Sequence, residues 1–446
     1  MIDFKKKIFY INYKYKNKGK NWKLFQEQIE NQYRPIKELR KIQFQRFKEI
    51  LKHAYKNVNF YKKLYDSANV KPEDIQKLSD INKLPVVKKL ELKQSGIDNI
   101  TAGNISKGRW AENHTSGSTN IPFTVISDKN YDDQEHAAWL RELSIMNYSP
   151  GDKILRIRNH YDKRGNFLTT IFNRESHLSC DDIEKNVSKA YEKMVKFNPD
   201  FIETFSTSII KIASFMINND LKFKLKGIQI MGSPMDENQK KVIKKAFDTT
   251  VLKDYSSAEG MRIGYQCEKA KGYHIDITRF IIEIIRNKKP AKEDEKGEIL
   301  ITNLENWAMP LIRYRIKDCG IFTNKKCGCG RSFPIIKDIK GRLIEHIKTT
   351  DGKVLWLGMF NSIMNPEVKF INKFQIQYKD DKMIVLIKPT EFMNEKKLKE
   401  INNKIDDIYG DDLNFEVKIV DNIKSAESGK EILYKNENPT NLGGFD

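Results

Sequence analysis

The stretch Thr115-Ser116-Gly117-Ser118-Thr119 sets hydroxyl side chains on both sides of a glycine. Gly117 lets the backbone come close to a ligand, and the hydroxyls supply donors without bulk, so the loop suits the oxygens of a polyphosphate. The same composition also builds ordinary surface turns, so the reading depends on the company the loop keeps downstream. Asp254-Tyr255-Ser256-Ser257-Ala258-Glu259 comes next. A tyrosine there can stack on a purine, and a carboxylate four residues on can hold a divalent cation that bridges phosphates. In Arg313-Tyr314-Arg315-Ile316-Lys317-Asp318, two arginines alternate with apolar residues ahead of an aspartate. The aspartate can accept both hydroxyls of a ribose, and the arginines can fork onto phosphate or carboxylate; the alternative is an Arg-rich edge strand. Near the C-terminus, Ser428-Gly429-Lys430 forms a loop from which a lysine can swing onto a phosphate, although by composition it is one lysine among many.

A second group has different chemistry. Cys267-x6-His274 and, after a long interval, Cys327-x-Cys329 offer four soft or borderline ligands in two close pairs. That set suits a tetrahedral structural zinc, with Gly328 and Gly330 letting the chain wrap the ion. The alternative is four unrelated residues. Cys180 and Cys319 are not needed for the site and read as buried thiols.

These residues need a scaffold. Apolar residues recur at helical spacing through Ile36, Leu39, Ile42, Phe47, Ile50, Leu51 and Ala54, which predicts helix from about Trp22 to Leu64. A strand is expected at Phe123–Ile126 and a helix at Tyr131–Met146. From Lys153 to Tyr255 strands alternate with helices, with strands at Lys153–Ile157, Phe201–Thr204, Ile228–Met231 and Val251–Tyr255. This rhythm predicts an α/β fold with a parallel sheet. From Phe280 the pattern turns β-rich, with strands at Phe280–Ile285, Gly297–Thr302 and Leu311–Tyr314. After Gly341 a smaller α+β unit follows, with strands near Phe374–Tyr378, Met383–Ile387 and Phe415–Val420 and a helix at Glu395–Ile408. The fold class is therefore α/β: a large multi-layer N-terminal domain with a parallel sheet plus a β-rich part, and a small α+β C-terminal domain.

With 446 residues and 39% hydrophobic content, the chain has material for two or three globular domains. No apolar run is long enough to span a membrane. Lys14 and Lys16 interrupt the apolar N-terminal residues, which makes a poor signal peptide. Five cysteines do not make a secreted disulfide framework, so a reducing, cytoplasmic location is expected. The net charge of +20 raises a polyanion partner, but the lysines are spread along the chain with no nucleic-acid module, so no nucleic acid is expected.

Together and in this order, the residues resemble the phenylacetate–CoA ligase family of adenylate-forming enzymes, in its CapK-like branch. The resemblance rests on His53-Ala54, Phe60-Tyr61, Leu84-Pro85-Val86, the Thr115–Thr119 loop, Tyr255–Glu259, Pro310–Arg315 with Asp318, Cys327–Arg331, Gly341-Arg342 and Ser428–Lys430, and spans most of the chain. It implies a large domain over residues 1–340, a small mobile domain over 341–446, and an ATP site between them. It implies that Thr115, Ser116, Gly117, Ser118 and Thr119 hold phosphates, and that Gly232, Ser233 and Ser256 flank the nucleotide. Tyr255 then packs on adenine, Asp318 takes the ribose hydroxyls, Glu259 binds Mg²⁺, Arg342 contacts the nucleotide, and Lys430 reaches in during adenylation. The implied reaction joins a small carboxylic acid to AMP with loss of pyrophosphate, then passes the acyl group to CoA or to an amine or sugar acceptor in surface-polysaccharide assembly. The zinc reading also gains weight. Asn120, Ser233, Ala258, Lys317 and Leu343-Ile344-Glu345 depart from the family pattern. They motivate one alternative, a nucleotide-binding relative that has lost turnover; the charge motivates a remoter one, a nucleic-acid binder.

Overall fold

The computed structural model describes residues 4–15, 19–114, 123–158, 174–232, 235, 237–257, 259–269, 272–342, 346–348, 354–356, 359–364, 367, 370–379, 382–409, 414–424 and 432–436. The chain opens with helices α1 (Phe4–Tyr15), α2 (Lys20–Asn31), α3 (Ile36–Asn57), α4 (Asn59–Ser67), α5 (Lys89–Ser95) and α6 (Ile97–Ile100). The single helix expected over Trp22–Leu64 is thus three. Pro35, which lacks an N–H, caps α3 in an extended conformation, and Val58 at φ −122° turns the chain between α3 and α4. The buried face of α3 is Leu39, Gln43, Phe47, Ile50, Leu51 and Ala54. This is the period of an amphipathic helix, and Gln43 donates to the Phe280 carbonyl at 2.7 Å.

A hairpin follows, β1 (Trp110–His114) with β2 (Thr124–Asp128), then helix α7 (Lys129–Ser144). The Asp128 carboxylate caps α7 by accepting from the Tyr131 N–H. Next come β3 (Ile154–Ile157), β4 (Glu175–Leu178), α8 (Cys180–Lys185), α9 (Val187–Phe197), β5 (Phe201–Thr204), α10 (Ser206–Asn218), β6 (Gly227–Ile230), α11 (Glu237–Phe247) and β7 (Thr250–Ser257). These strands pair in parallel in the order β4-β3-β5-β6-β7. The sheet continues antiparallel through β8 (Met261–Tyr265), β9 (Tyr273–Ile275), β10 (Phe280–Arg286), β11 (Lys289–Pro290), β12 (Lys296–Asn303), β13 (Tyr314–Thr323) and β14 (Ile335–Arg342), making twelve strands among the described residues. The strand expected from Leu311 starts instead at Tyr314, because Arg313 takes φ +50°, outside the extended region.

One core lies between α3, α4 and the β-rich part and includes Phe47, Tyr61, Phe280, Ile299 and Ile312. A second packs α8 to α11 on the parallel sheet, and a third packs α1, α2 and α7 on its other face.

The small unit has its own sheet, in which β17 (Ile371–Lys379) pairs with β18 (Lys382–Pro389) and β20 (Tyr434–Asn436), and β18 with β19 (Phe415–Ile419). It is preceded by the β15 (His346–Lys348) and β16 (Val354–Trp356) pair and by helix α12 (Met359–Met364); α13 (Glu395–Tyr409) covers it, and Phe360, Ile376, Val385 and Ile401 fill its core. Lys373 of β17 reaches Glu184 of α8 at 2.5 Å. The architecture is the mixed α/β fold with a smaller C-terminal sheet unit that the sequence predicts. No described helix is long and apolar enough to cross a membrane.

Candidate active site

The best assembled part of the site lies at the carboxyl end of β7. The Tyr255 hydroxyl donates to Asp318 Oδ2 of β13 at 2.8 Å. The two residues are far apart in sequence, and the sheet brings them together. Tyr255 is otherwise buried, edge-on to Tyr273 at 6.2 Å. Beside it, the Asp254 carboxylate accepts from the Gly232 N–H and from the Ser256 hydroxyl, both at 3.0 Å. Gly232 sits at φ +43°, a left-handed conformation that suits glycine. Four sequence-predicted residues, Gly232, Tyr255, Ser256 and Asp318, therefore share one end of the sheet. Lys317 holds φ +68°, so the backbone before Asp318 takes a left-handed path natural to glycine despite the side chain.

Glu259 is buried, and its Oε1 lies 3.4 Å from the Lys89 ammonium and 3.4 Å from the Tyr314 hydroxyl. Sequence reasoning missed Lys89. It is placed by Val87, which pairs with β13: the Val87 N–H donates to the Arg313 carbonyl at 3.0 Å, and the Arg315 N–H donates to Val87 at 2.9 Å. Two residues later the chain begins α5. A lysine at the first position of a helix meets the positive end of the dipole, an unfavourable choice that is itself a sequence signal. The ammonium also lies 5.8 Å from the Phe123 ring centroid.

Other predicted residues stand differently. Thr115, Ser116, Gly117, Ser118, Thr119, Asn120, Ser233, Ala258, Leu343-Ile344-Glu345 and Lys430 lie outside the described residues. The hairpin flanking the Thr115–Thr119 loop is described, with His114 opposite Thr124. Arg342 is described as backbone only, and it pairs across from Asp318. Arg313 forks onto Glu283 at 3.0 and 2.8 Å and donates to the carbonyls of Asn82 and Leu84, which ties the link before α5 to β10. Arg315 lies 3.1 Å from Glu298. Phe205 packs on the α8–α11 core, and Trp307 sits edge-on to His53 at 4.8 Å. Trp139 is buried and donates to Gln229 at 3.1 Å.

The Cys/His set does assemble. Ligand atoms of Cys267, His274, Cys327 and Cys329 all lie within 4.8 Å of one another. β9 pairs with β14, so the β8–β9 turn meets the loop between β13 and β14. Cys267 Sγ is 3.6 Å from Cys327 Sγ, and Cys329 Sγ is 3.5 Å from His274 Nε2. A tetrahedral zinc requires ligand separations of roughly 3.5–3.8 Å from its Zn–S and Zn–N lengths. The Nδ1–H of His274 donates to the Phe333 carbonyl at 3.2 Å, which leaves Nε2 as the ligand atom. Burial pushes the His274 imidazole down to about 4, so it is neutral near pH 7. Gln32 braces the loop: its Oε1 accepts from Tyr265 at 2.6 Å and from Arg331 at 3.0 Å.

Sequence reasoning also missed a buried ionic cluster. Glu203 of β5 lies 2.5 Å from Arg158, 3.5 Å from Arg156 and 2.5 Å from Arg262. Burial pushes the Glu203 carboxyl up, but the three guanidinium groups overcome this and hold it down at about 2. Arg262 also meets Asp254 at 2.8 Å and Glu142 at 3.2 Å. Burial raises Glu142 to about 8, despite the lowering pull of Arg262. Through Asp254 this cluster touches the Gly232 turn. The signal was Glu203 itself, a charge inside the apolar run Phe201-Ile202-Glu203-Thr204.

A model of the CapK C-terminal domain matches residues 347–437. The chain is 28% identical to the phenylacetate-coenzyme A ligase of Escherichia coli (strain K12), over 69% of this chain and 72% of that protein. It is 24% identical to Protein CapK of Staphylococcus aureus, over 96% of this chain and 94% of that protein. Its fold matches that of 2-hydroxyisobutyryl-CoA ligase in the postadenylation state, with a TM-score of 0.74 at 17% identity over 92% of each chain. Its sequence relatives are thus phenylacetate-coenzyme A ligases and CapK, and its fold is that of an adenylate-forming ligase.

Proposed function

We propose that the protein activates a small carboxylic acid with ATP, forming an acyl-adenylate and pyrophosphate, and then passes the acyl group on with release of AMP. The observation that carries this reading is the Tyr255–Asp318 pair at 2.8 Å beside Gly232, with Glu259 close by in sequence and paired to Lys89. A carboxylate oxygen attacks the α-phosphorus, the bond to the β-phosphate oxygen breaks, and pyrophosphate leaves. No proton moves, so the work is positioning and charge neutralisation. Tyr255 packs on adenine, Asp318 accepts from the ribose hydroxyls, and Gly232, Ser233 and Ser256 line the turn beside them. The Thr115–Thr119 loop cradles phosphates, Lys89 and Lys430 face the transferring phosphate, and Arg342 contacts the nucleotide opposite Asp318.

Glu259 fits a Mg²⁺ role. A single hard carboxylate together with substrate phosphates is a usual Mg²⁺ shell, and the contacts on its Oε1 are long, at 3.4 Å. When bound, Mg²⁺ would neutralise phosphate charge. The Cys267/His274/Cys327/Cys329 set fits a structural zinc by its donors and spacing; its chemistry would be to tie two loops of the sheet together. We read the chain as two domains, 1–340 and 341–446, the smaller turning against the larger between steps. The match of residues 347–437 to one domain model supports that division. The acceptor is CoA, or an amine or sugar in surface-polysaccharide assembly as likeness to CapK suggests, and the setting is the cytoplasm.

The test is product analysis of the protein incubated with ATP, Mg²⁺ and pooled aryl, fatty, hydroxy and amino acids, with and without CoA. AMP and pyrophosphate are expected, with a thioester where CoA is the acceptor. ADP and phosphate, or no acid-dependent product, would sink the reading.

A further inference from the structure

The strand order β4-β3-β5-β6-β7 reverses direction between β3 and β5. In open parallel sheets the ligand crevice opens at the carboxyl ends of strands at such a reversal. Arg158 is the first residue beyond β3. Its Nη2 lies 2.5 Å from Glu203 on β5 and 3.8 Å from Met231 Sδ, just beyond β6. The guanidinium therefore spans the ends of β3, β5 and β6, one residue from the Gly232 turn. Its side chain is 29% exposed while Glu203 is 1% exposed, so Arg158 is the face this pair shows to the crevice. Its Nε is buried and makes no hydrogen bond among the described residues.

Compensation is thin at this point. Glu203 is shared with Arg262 and Arg156. Glu142 and Asp254 lie on the Arg262 side of the cluster, and Glu175 approaches only Arg156, at 3.9 Å. His177 nearby is held neutral, pushed down to about 4 by burial and then by Arg156 and Arg158. Among the described residues Arg158 therefore meets a single carboxylate, one it shares with two other guanidinium groups, and it is the most exposed of the three, at the carboxyl ends of the strands beside the reversal.

We propose that Arg158 binds a second carboxylate on the acid, so that the substrate class is a dicarboxylic acid, one carboxylate joining the α-phosphate and the other forking onto Arg158. This rests on the carboxylate-activation reading above.

The test is ATP–pyrophosphate exchange with matched pairs that differ by one carboxylate: butyrate and succinate, pentanoate and glutarate, phenylacetate and 3-carboxyphenylacetate. The dicarboxylate of at least one pair is expected to win by about tenfold or more in kcat/KM. Arg158→Met should collapse that ratio through KM, and Arg158→Lys should restore part of it. Thermal unfolding would check that the variants fold; Arg262 and Arg156 still pair Glu203 without Arg158. Monoacids matching or beating dicarboxylates in every pair would overturn the assignment while leaving activation intact. So would an Arg158→Met loss equal for both members of a pair. If no acid supports exchange in protein that binds ATP by calorimetry, the activation reading falls, and this assignment with it.

Discussion

Replacing Glu203 with glutamine removes the one carboxylate that Arg156, Arg158 and Arg262 share. The magnitude follows from the carboxyl's displacement, held at about 2 against an ordinary value of 4.5. That gap corresponds to roughly 3 kcal/mol of stability near pH 7, in the range for breaking a buried pair by removing one partner. The sign is set by the depressed value. The contribution is fully present above about 4.5 and is lost as pH falls towards 2, where the protonated glutamic acid resembles glutamine. The assay is urea unfolding of wild type and Glu203→Gln from pH 7 down to pH 3, followed by tryptophan fluorescence. Trp139 packs on Arg156 at 4.2 Å and so reports on this cluster. The difference should be near 3 kcal/mol at pH 7 and shrink steadily below pH 4.5. A difference under about 1 kcal/mol at pH 7, or one that stays constant in acid, would refute the reasoning.

Four other outcomes are expected of the same structure. Glu142, raised to about 8, has the opposite sign: relative to Glu142→Gln, wild type should lose stability as pH rises from 4.5 through 8, as unfolding at pH 6 and pH 9 would show. Lys317→Gly should stabilise by about 1 kcal/mol, because φ +68° costs a lysine more than a glycine; chemical denaturation measures it. Purified protein should carry about one zinc per chain by elemental analysis, and Cys327→Ser should carry none and melt earlier; a stable, metal-free wild type would remove the site. Lys89→Ala should cost roughly tenfold or more in adenylate formation with ATP binding retained, measured by pre-steady-state pyrophosphate release.

What could be read from the sequence divides along physical lines. The alternation of strands and helices from Lys153 to Tyr255 was legible because periods of 2 and 3.6 are local. The half-sites Cys267/His274 and Cys327/Cys329 were legible because metal ligands come in close pairs; their meeting depends on β9 pairing with β14, which no local pattern encodes. The breaks at Pro35 and Val58 were overridden by a strong apolar period, although Pro35 was a visible stop signal. Arg313 looked like a ligand-facing charge in a strand. Its partner, Glu283, lies on β10, and only the folded register shows that the pair is internal. Lys89 and the arginines around Glu203 were missed for a related reason. Each is unremarkable beside its sequence neighbours and acquires its role from partners that the sheet brings near.

Carboxylate-dependent ATP–pyrophosphate exchange tests the central claim most directly, because it requires reversible adenylate formation and is blind to the acceptor. Exchange that needs both an acid and Mg²⁺, and that falls sharply in Lys430→Ala and Glu259→Gln, is the result the proposed adenylation predicts. No exchange with any aryl, fatty, hydroxy, amino or dicarboxylic acid, in folded protein that binds ATP, would contradict it.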